Sequence, residues 1–147
     1  MPSLNCVMQF KLYTHLHRVT YADCSNGNHV YYGRYSYFLE EARGEFFRYL
    51  GITFNDYHKN GYLFPVSEFQ LKYFAPAEYD DELIIECNIT KFHGARLGFG
   101  YRIKKNSSLI VVEGETLHGC TDLDNNVRRL PPNLKNCLKL YIANGTK

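Results

Sequence analysis

No stretch of about 18 apolar residues runs anywhere in this 147-residue sequence, so no membrane-spanning helix is expected. The N-terminus, MPSLNCVMQFKLYTH, lacks a basic start followed by an unbroken apolar run, so no signal peptide is expected either. The five cysteines (Cys6, Cys24, Cys87, Cys120, Cys137) are an odd number, and no two stand in CxxC spacing. That argues against a disulfide framework and against a structural zinc site. A cytoplasmic, reduced protein is expected, in which the glycosylation-like triplets at Asn88, Asn106 and Asn144 are chance matches. Charge of one sign is also missing: 17 Lys+Arg against 15 Asp+Glu leave +2, too little for a nucleic-acid binder. Repeats, linkers and low-complexity tracts are absent, and the length fits one domain over 1–147.

Aromatic rings are abundant. Thirteen Tyr and ten Phe with no Trp suggest a sheet-rich core. Residues 7–21 alternate as a strand, and the run ADCSNGNH that follows is turn chemistry. The period then changes. Tyr35, Phe38, Leu39, Ala42, Phe46, Tyr49 and Leu50 fall on one helical stripe, predicting a helix over about 33–50, with Gly51 at its C-terminus. Four strands are expected after it, Ser67–Phe74, Glu82–Phe92, Arg96–Lys104 and Leu109–Cys120, with a short helix over 133–142. Consecutive strands on short turns must be largely antiparallel, and the single helical stripe must lie against them. The expected class is α+β: a curved antiparallel sheet of about five strands wrapped around one long helix. One helix leaves sheet uncovered and edges open, so a homo-oligomer is expected.

Four runs in this order resemble the hotdog-fold thioesterases, in particular the 4-hydroxybenzoyl-CoA thioesterase group. They are YADCSNGNHVYYGRY over 21–35, FLEEARGEF over 38–46, YFAPAEYDDEL over 73–83 and RRLP over 128–131. The resemblance implies the hotdog fold, hydrolysis of acyl-CoA or acyl-carrier-protein thioesters, and homodimers or homotetramers with sites at the subunit interface. It implies no cofactor and no metal, CoA entering only as part of the substrate. The family pattern Asp-x-Asp-x-x-Gly falls on Asp23, Ser25 and Asn28, so Ser25 stands where the catalytic carboxylate usually stands. The related enediyne-type acyl-carrier thioesterases also lack that carboxylate and use an Arg in the central helix, at the position matching Arg43. The backbone N–H matching the family's oxyanion donor is that of Tyr32.

Thioester hydrolysis needs an attacking water or carboxylate and donors for the oxyanion. A helix N-terminus such as that at Tyr32 supplies free N–H groups and a positive dipole end. Asp23 either caps its turn or serves as general base, and an Asp in a turn favours the cap. Ser25 has no His at a triad spacing, so it holds the loop or orients a water. Arg43 pairs with Glu40 on the helix surface or, by the resemblance, works near the carbonyl; Glu41 is a reserve base. His15 and His17 share one strand face without further ligands in view, and Cys24 reads as a turn thiol. Lys91, Arg96, Arg128 and Arg129 are solvated surface charge or the binders of CoA phosphates. The alternative to an enzyme is a non-catalytic acyl-chain or acyl-carrier binding module of the same fold.

Overall fold

The computed structural model describes residues 10–143. Strand β1 is Tyr13–Arg18, helix α1 Tyr35–Tyr49, helix α2 Phe54–Lys59, then β2 Val66–Tyr73, β3 Glu82–His93, β4 Arg96–Lys105 and β5 Leu109–Gly119, closed by α3 Leu134–Leu138. The five strands form one antiparallel sheet in the order β1-β3-β4-β5-β2. The three long strands match expectation to within a residue or so, because Asp and Asn turns delimit them. The first strand is shorter than the expected 7–21, of which residues 7–9 lie outside the described residues. It stops at Arg18 because Val19 N–H bonds Asp81 O (2.9 Å) and Thr20 N–H is taken by the Asp23 carboxylate (2.9 Å).

One face of the sheet carries the core. Leu83, Ile85, Cys87 and Ile89 of β3 and Leu97, Phe99 and Ile103 of β4 are fully buried, at every second position, beneath α1. The helix buries Tyr35, Phe38, Leu39, Ala42, Phe46 and Phe47. The expected stripe included Tyr49, but Tyr49 is exposed and Phe47 is buried in its place. The reason is α2, which the sequence reading did not anticipate. Phe47 stacks on Phe54 of α2 (ring centroids 4.3 Å), which covers a second face of α1 near its end. Truncating Phe46 or Phe47 to Ala is expected to cost about 3–5 kcal/mol. Gly51, at φ +76°, ends α1 in the left-handed conformation that favours glycine.

The two sheet edges differ. β1 alternates half-buried and exposed residues, whereas every residue of β2 except Leu71 is exposed in the single chain. Phe69 and Tyr73 pair with Thr116 and Val112, so they share the face that α1 covers elsewhere, yet both stay open.

Candidate active site

The loop between β1 and α1 folds back on itself. Cys24 bridges Val30, Ser25 N–H bonds His29 O at 2.8 Å, and Tyr31 N–H bonds Asp23 O at 2.9 Å. The turn at its tip needs left-handed backbone, at Gly27 (φ +108°) and Asn28 (φ +63°). Asn is among the few residues other than glycine that tolerate this region, which explains how it replaces the family's usual glycine there. A 3-10 turn, Tyr32–Arg34, then leads into α1. Among the described residues, the N–H groups of Tyr32 and Gly33 have no hydrogen-bond partner, as expected at a helix start. They form a donor pair at the positive end of the helix dipole. The carbonyl of Tyr32 accepts from Tyr73 Oη of β2 (2.7 Å), fixing this turn against the sheet edge.

Asp23 is buried and fully engaged. Its Oδ2 accepts from Thr20 N–H (2.9 Å) and lies 2.8 Å from His17 Nε2, and its Oδ1 accepts from Arg34 Nε (2.8 Å). Burial works to raise this carboxyl's pKa, but the Thr20, His17 and Arg34 hydrogen bonds outweigh it and hold it down to about 2. His17 also faces Glu41, with Nδ1 at 3.2 Å from Oε2, and His15 Nε2 lies 3.1 Å from the same oxygen but off the hydrogen-bond direction. The His pair read from β1 therefore converges on the carboxylate of α1. Ser25 Oγ donates to His29 O (3.3 Å). Burial, then the charge of Asp23, pushes the Cys24 thiol up, which disfavours a thiolate nucleophile.

On the other flank of α1, Arg43 does not pair with Glu40. Its Nη1 donates to Tyr101 Oη (3.1 Å), which lies 2.8 Å from Thr116 Oγ1; Thr116 in turn contacts His118 Nε2 (2.9 Å). Ser36, Tyr37, Glu40 and Arg43 of α1 face Val66, Phe69 and Thr116 across a cleft of about 320 Å³. Glu40 is the carboxylate in that lining. A larger concavity, about 480 Å³, lies on the outer face of the sheet among Gln70, Glu86, Asn88 and Glu113 and holds no residue of α1. Sequence reasoning missed Tyr101, Thr116 and His118. Their signal was parity: Thr116 and His118 are polar residues at inward positions of β5.

The basic residues separate into two groups. Arg128 is occupied, with Nη1 bonding Asn60 O (3.2 Å) and Gly61 O (3.0 Å) and the guanidinium 3.6 Å above the Tyr62 ring. Arg96 and Arg129 are exposed without ion pairs among the described residues, and Leu130 N–H bonds Gly94 O (2.9 Å), bringing their segments together. Lys91 lies on β3 close to the same hairpin end. This end pairs Arg96 with Gly119, next to Val66, whereas the Tyr32 turn sits at Tyr73. Seven strand residues separate the two ends, about 20 Å. A single chain does not bring the expected phosphate binders to the Tyr32 turn.

No helix among the described residues is long and apolar enough to cross a membrane. Among the described residues, no group of three or more His, Cys, Asp or Glu is arranged to hold a metal. The cysteines Cys24, Cys87, Cys120 and Cys137 are free thiols.

Comparison with known proteins places this geometry. A family model described as the thioesterase-like superfamily matches residues 19–138. The acyl-CoA thioester hydrolase YbgC of Escherichia coli is 34% identical over 118 residues, 80% of this chain and 88% of its own. The crystal structure of Slr0204, a 1,4-dihydroxy-2-naphthoyl-CoA thioesterase from Synechocystis, superposes with a TM-score of 0.82 at 20% identity, covering 88% of this chain and 96% of that one. The dynemicin thioesterase superposes at 0.83 with 16% identity, over 90% of this chain and 99% of that one. A curved five-stranded sheet against one long helix, a donor pair at the helix start and a family match over most of its length together make the chain a member of the thioesterase-like superfamily, a thioester hydrolase of the hotdog fold.

Proposed function

We propose that the protein hydrolyses acyl-CoA thioesters by metal-free attack of water, in sites shared between two copies of the chain. The observation that carries this reading is the unpartnered N–H pair of Tyr32 and Gly33 at the start of α1, a ready oxyanion site. Eleven residues of helical rise separate Tyr32 from Arg43, about 16 Å, too far for both to act on one carbonyl within a chain. Two copies with their α1 helices antiparallel bring the Tyr32 turn of one beside Arg43 of the other. The same pairing covers the open β2 face and moves Arg96 and Arg129 toward the substrate's phosphates.

In that arrangement Arg43 supports charge on the thioester carbonyl, and Glu40, one turn away in the same cleft, takes the proton of the attacking water. The two residues that sequence reasoning offered as bases, Asp23 and Glu41, and Ser25, offered as a holder of the attacking water, are otherwise occupied. Asp23 is held ionised by three donors, Ser25 bonds its own loop, and Glu41 lies between two histidines on the opposite flank. Asp23 then serves as the anchor of the loop, and Ser25 as its brace.

A panel of acyl-CoA esters with a free-thiol readout tests the activity, with sedimentation in parallel. Release of CoA by an oligomer is expected. Tight acyl-CoA binding without release of thiol would favour the binding module, which the missing carboxylate at Ser25 supports. A folded monomer at micromolar concentration that still turns over would remove the shared site.

A further inference from the structure

A buried row of polar side chains runs behind Arg43, and its hydrogen-bond directions follow from its two ends. At one end, His118 Nδ1 lies 3.1 Å from Phe64 O. A carbonyl only accepts, so Nδ1 carries the hydrogen. His118 is 3% exposed, and burial, opposed by the Phe64 bond and then aided by the charge of Arg43, pushes its pKa down to about 4. The ring is neutral near pH 7, and Nε2 is an acceptor. Thr116 Oγ1 must therefore donate to it across 2.9 Å. That leaves the Thr116 oxygen to accept from Tyr101 Oη at 2.8 Å. Burial raises the Tyr101 phenol well above its ordinary range, so it keeps the hydrogen it donates. Its own oxygen then accepts from Arg43 Nη1, which as a guanidinium only donates (3.1 Å).

Every hydrogen in the series is assigned, from guanidinium to phenol, hydroxyl, imidazole and carbonyl. While the His118 ring is neutral the series runs in one sense, because the guanidinium only donates and the Phe64 carbonyl only accepts. The four side chains and one backbone carbonyl come from α1, β4, β5 and the segment before β2, so the row ties the helix to the sheet at one register. One N–H of Arg43 is consumed in the row, and Arg43 lines the cleft together with Glu40.

We infer that Tyr101, Thr116 and His118 are positioning residues that aim the Arg43 guanidinium into the acyl-thioester cleft, with His118 setting the direction of the whole series. The inference rests on the role proposed for Arg43. A long arginine side chain in an open cleft has many rotamers, and an anchored one loses less freedom at the moment of reaction. An uncharged row suits this purpose better than a carboxylate, which would neutralise the charge that the carbonyl needs. It also explains why polar residues occupy inward positions of β5 in an otherwise apolar core.

The test uses the full chain with acyl-CoA and seven variants: Arg43→Ala, two that break the row, two that restore it and two doubles. Arg43→Ala is compared with wild type first and should lower kcat. Thr116→Val, nearly isosteric, and His118→Leu each break the row, and each is expected to lower kcat by about tenfold with KM little changed. Thr116→Ser and His118→Gln, which restore a hydroxyl and an acceptor, should recover much of that loss. In the Arg43→Ala background, Thr116→Val and His118→Leu should cost nothing further. His118 does not line the cleft, so its effect cannot come from direct contact with the acyl group. Full kcat in Thr116→Val and His118→Leu beside a loss in Arg43→Ala would overturn the positioning role and leave the Arg43 reading standing. Full kcat in Arg43→Ala would overturn both. If His118→Leu does not fold, Tyr101→Phe takes its place, since it deletes one oxygen from the same row and must show the same non-additive loss.

Discussion

Glu41 and Arg43 lie two residues apart on α1 and lead into two different polar networks. On the β1 flank, Glu41, His15, His17, Asp23 and Arg34 form a row of carboxylates, imidazoles and a guanidinium, with Glu41 48% and Arg34 36% exposed. On the β2 flank, Arg43, Tyr101, Thr116 and His118 form a row that is buried and uncharged beyond its first member. Water screens the first, so its outer pairs hold little free energy and act as ties between β1, α1 and the loop. Desolvation makes the second directional, since each buried polar atom must find its one partner. The lesson is that a helix is able to anchor its loop on one side and present its chemistry on the other.

The difference between the flanks is open to breaking. The largest effect expected is on the cleft side: Glu40→Gln should lower kcat by about 10² or more with the fold intact, measured by thiol release. Acid should come next. Between pH 6.5 and about 4 the unfolded chain binds a proton at His118 that the native ring refuses. Protonation thus favours the unfolded state, and stability should fall as pH drops through that window, by up to about 3 kcal/mol, and return above it. Urea midpoints at pH 7 and 4.5 check this, and His118→Gln should flatten the slope. Below pH 3.8 a further loss should follow, continuing down to about 2 as Asp23 takes up its proton.

On the anchoring flank, Asp23→Asn should destabilise by about 2 kcal/mol, because a buried carboxylate with three donors becomes an amide with one acceptor. Its activity should fall more than that of Glu41→Gln, the loop being displaced from the Tyr32 turn. Ser25→Asp sharpens the comparison further. In wild type it should raise kcat modestly, and in the Glu40→Gln background it should restore part of the loss, with a rate that rises with pH. No gain in either background would mean that Ser25 does not face the thioester. Glu41→Gln should be the mildest, under about 1 kcal/mol by thermal melting, as befits a half-exposed carboxylate beside two imidazoles.

Much of the framework was legible in the sequence. The Asp-Asp turn at 80–81 and the Asn-Ser-Ser turn at 106–108 mark strand ends, and a stripe of apolar residues marks α1. The capping reading of Asp23 also agrees with its bond to Thr20 N–H. Helix α2 was not seen, because six residues are too few for a period to register. Its one local signal is Thr53, whose hydroxyl accepts from Asp56 N–H (3.0 Å). The row behind Arg43 was invisible for a different reason. Its members stand 58, 15 and 2 positions apart in the chain, and only the pairing of β4 with β5 and the packing of α1 on the sheet bring them together.

The bare β2 strand has a thermodynamic consequence. With that edge and face covered by a second copy, as proposed, part of the free energy holding each chain folded belongs to the encounter between chains. Stability then follows mass action, and the melting temperature should climb with protein concentration. A freshly made chain that has met no partner carries an unsatisfied strand edge, the surface most prone to unwanted pairing. The supply of partners, as much as the chain's own core, sets how long such a molecule survives.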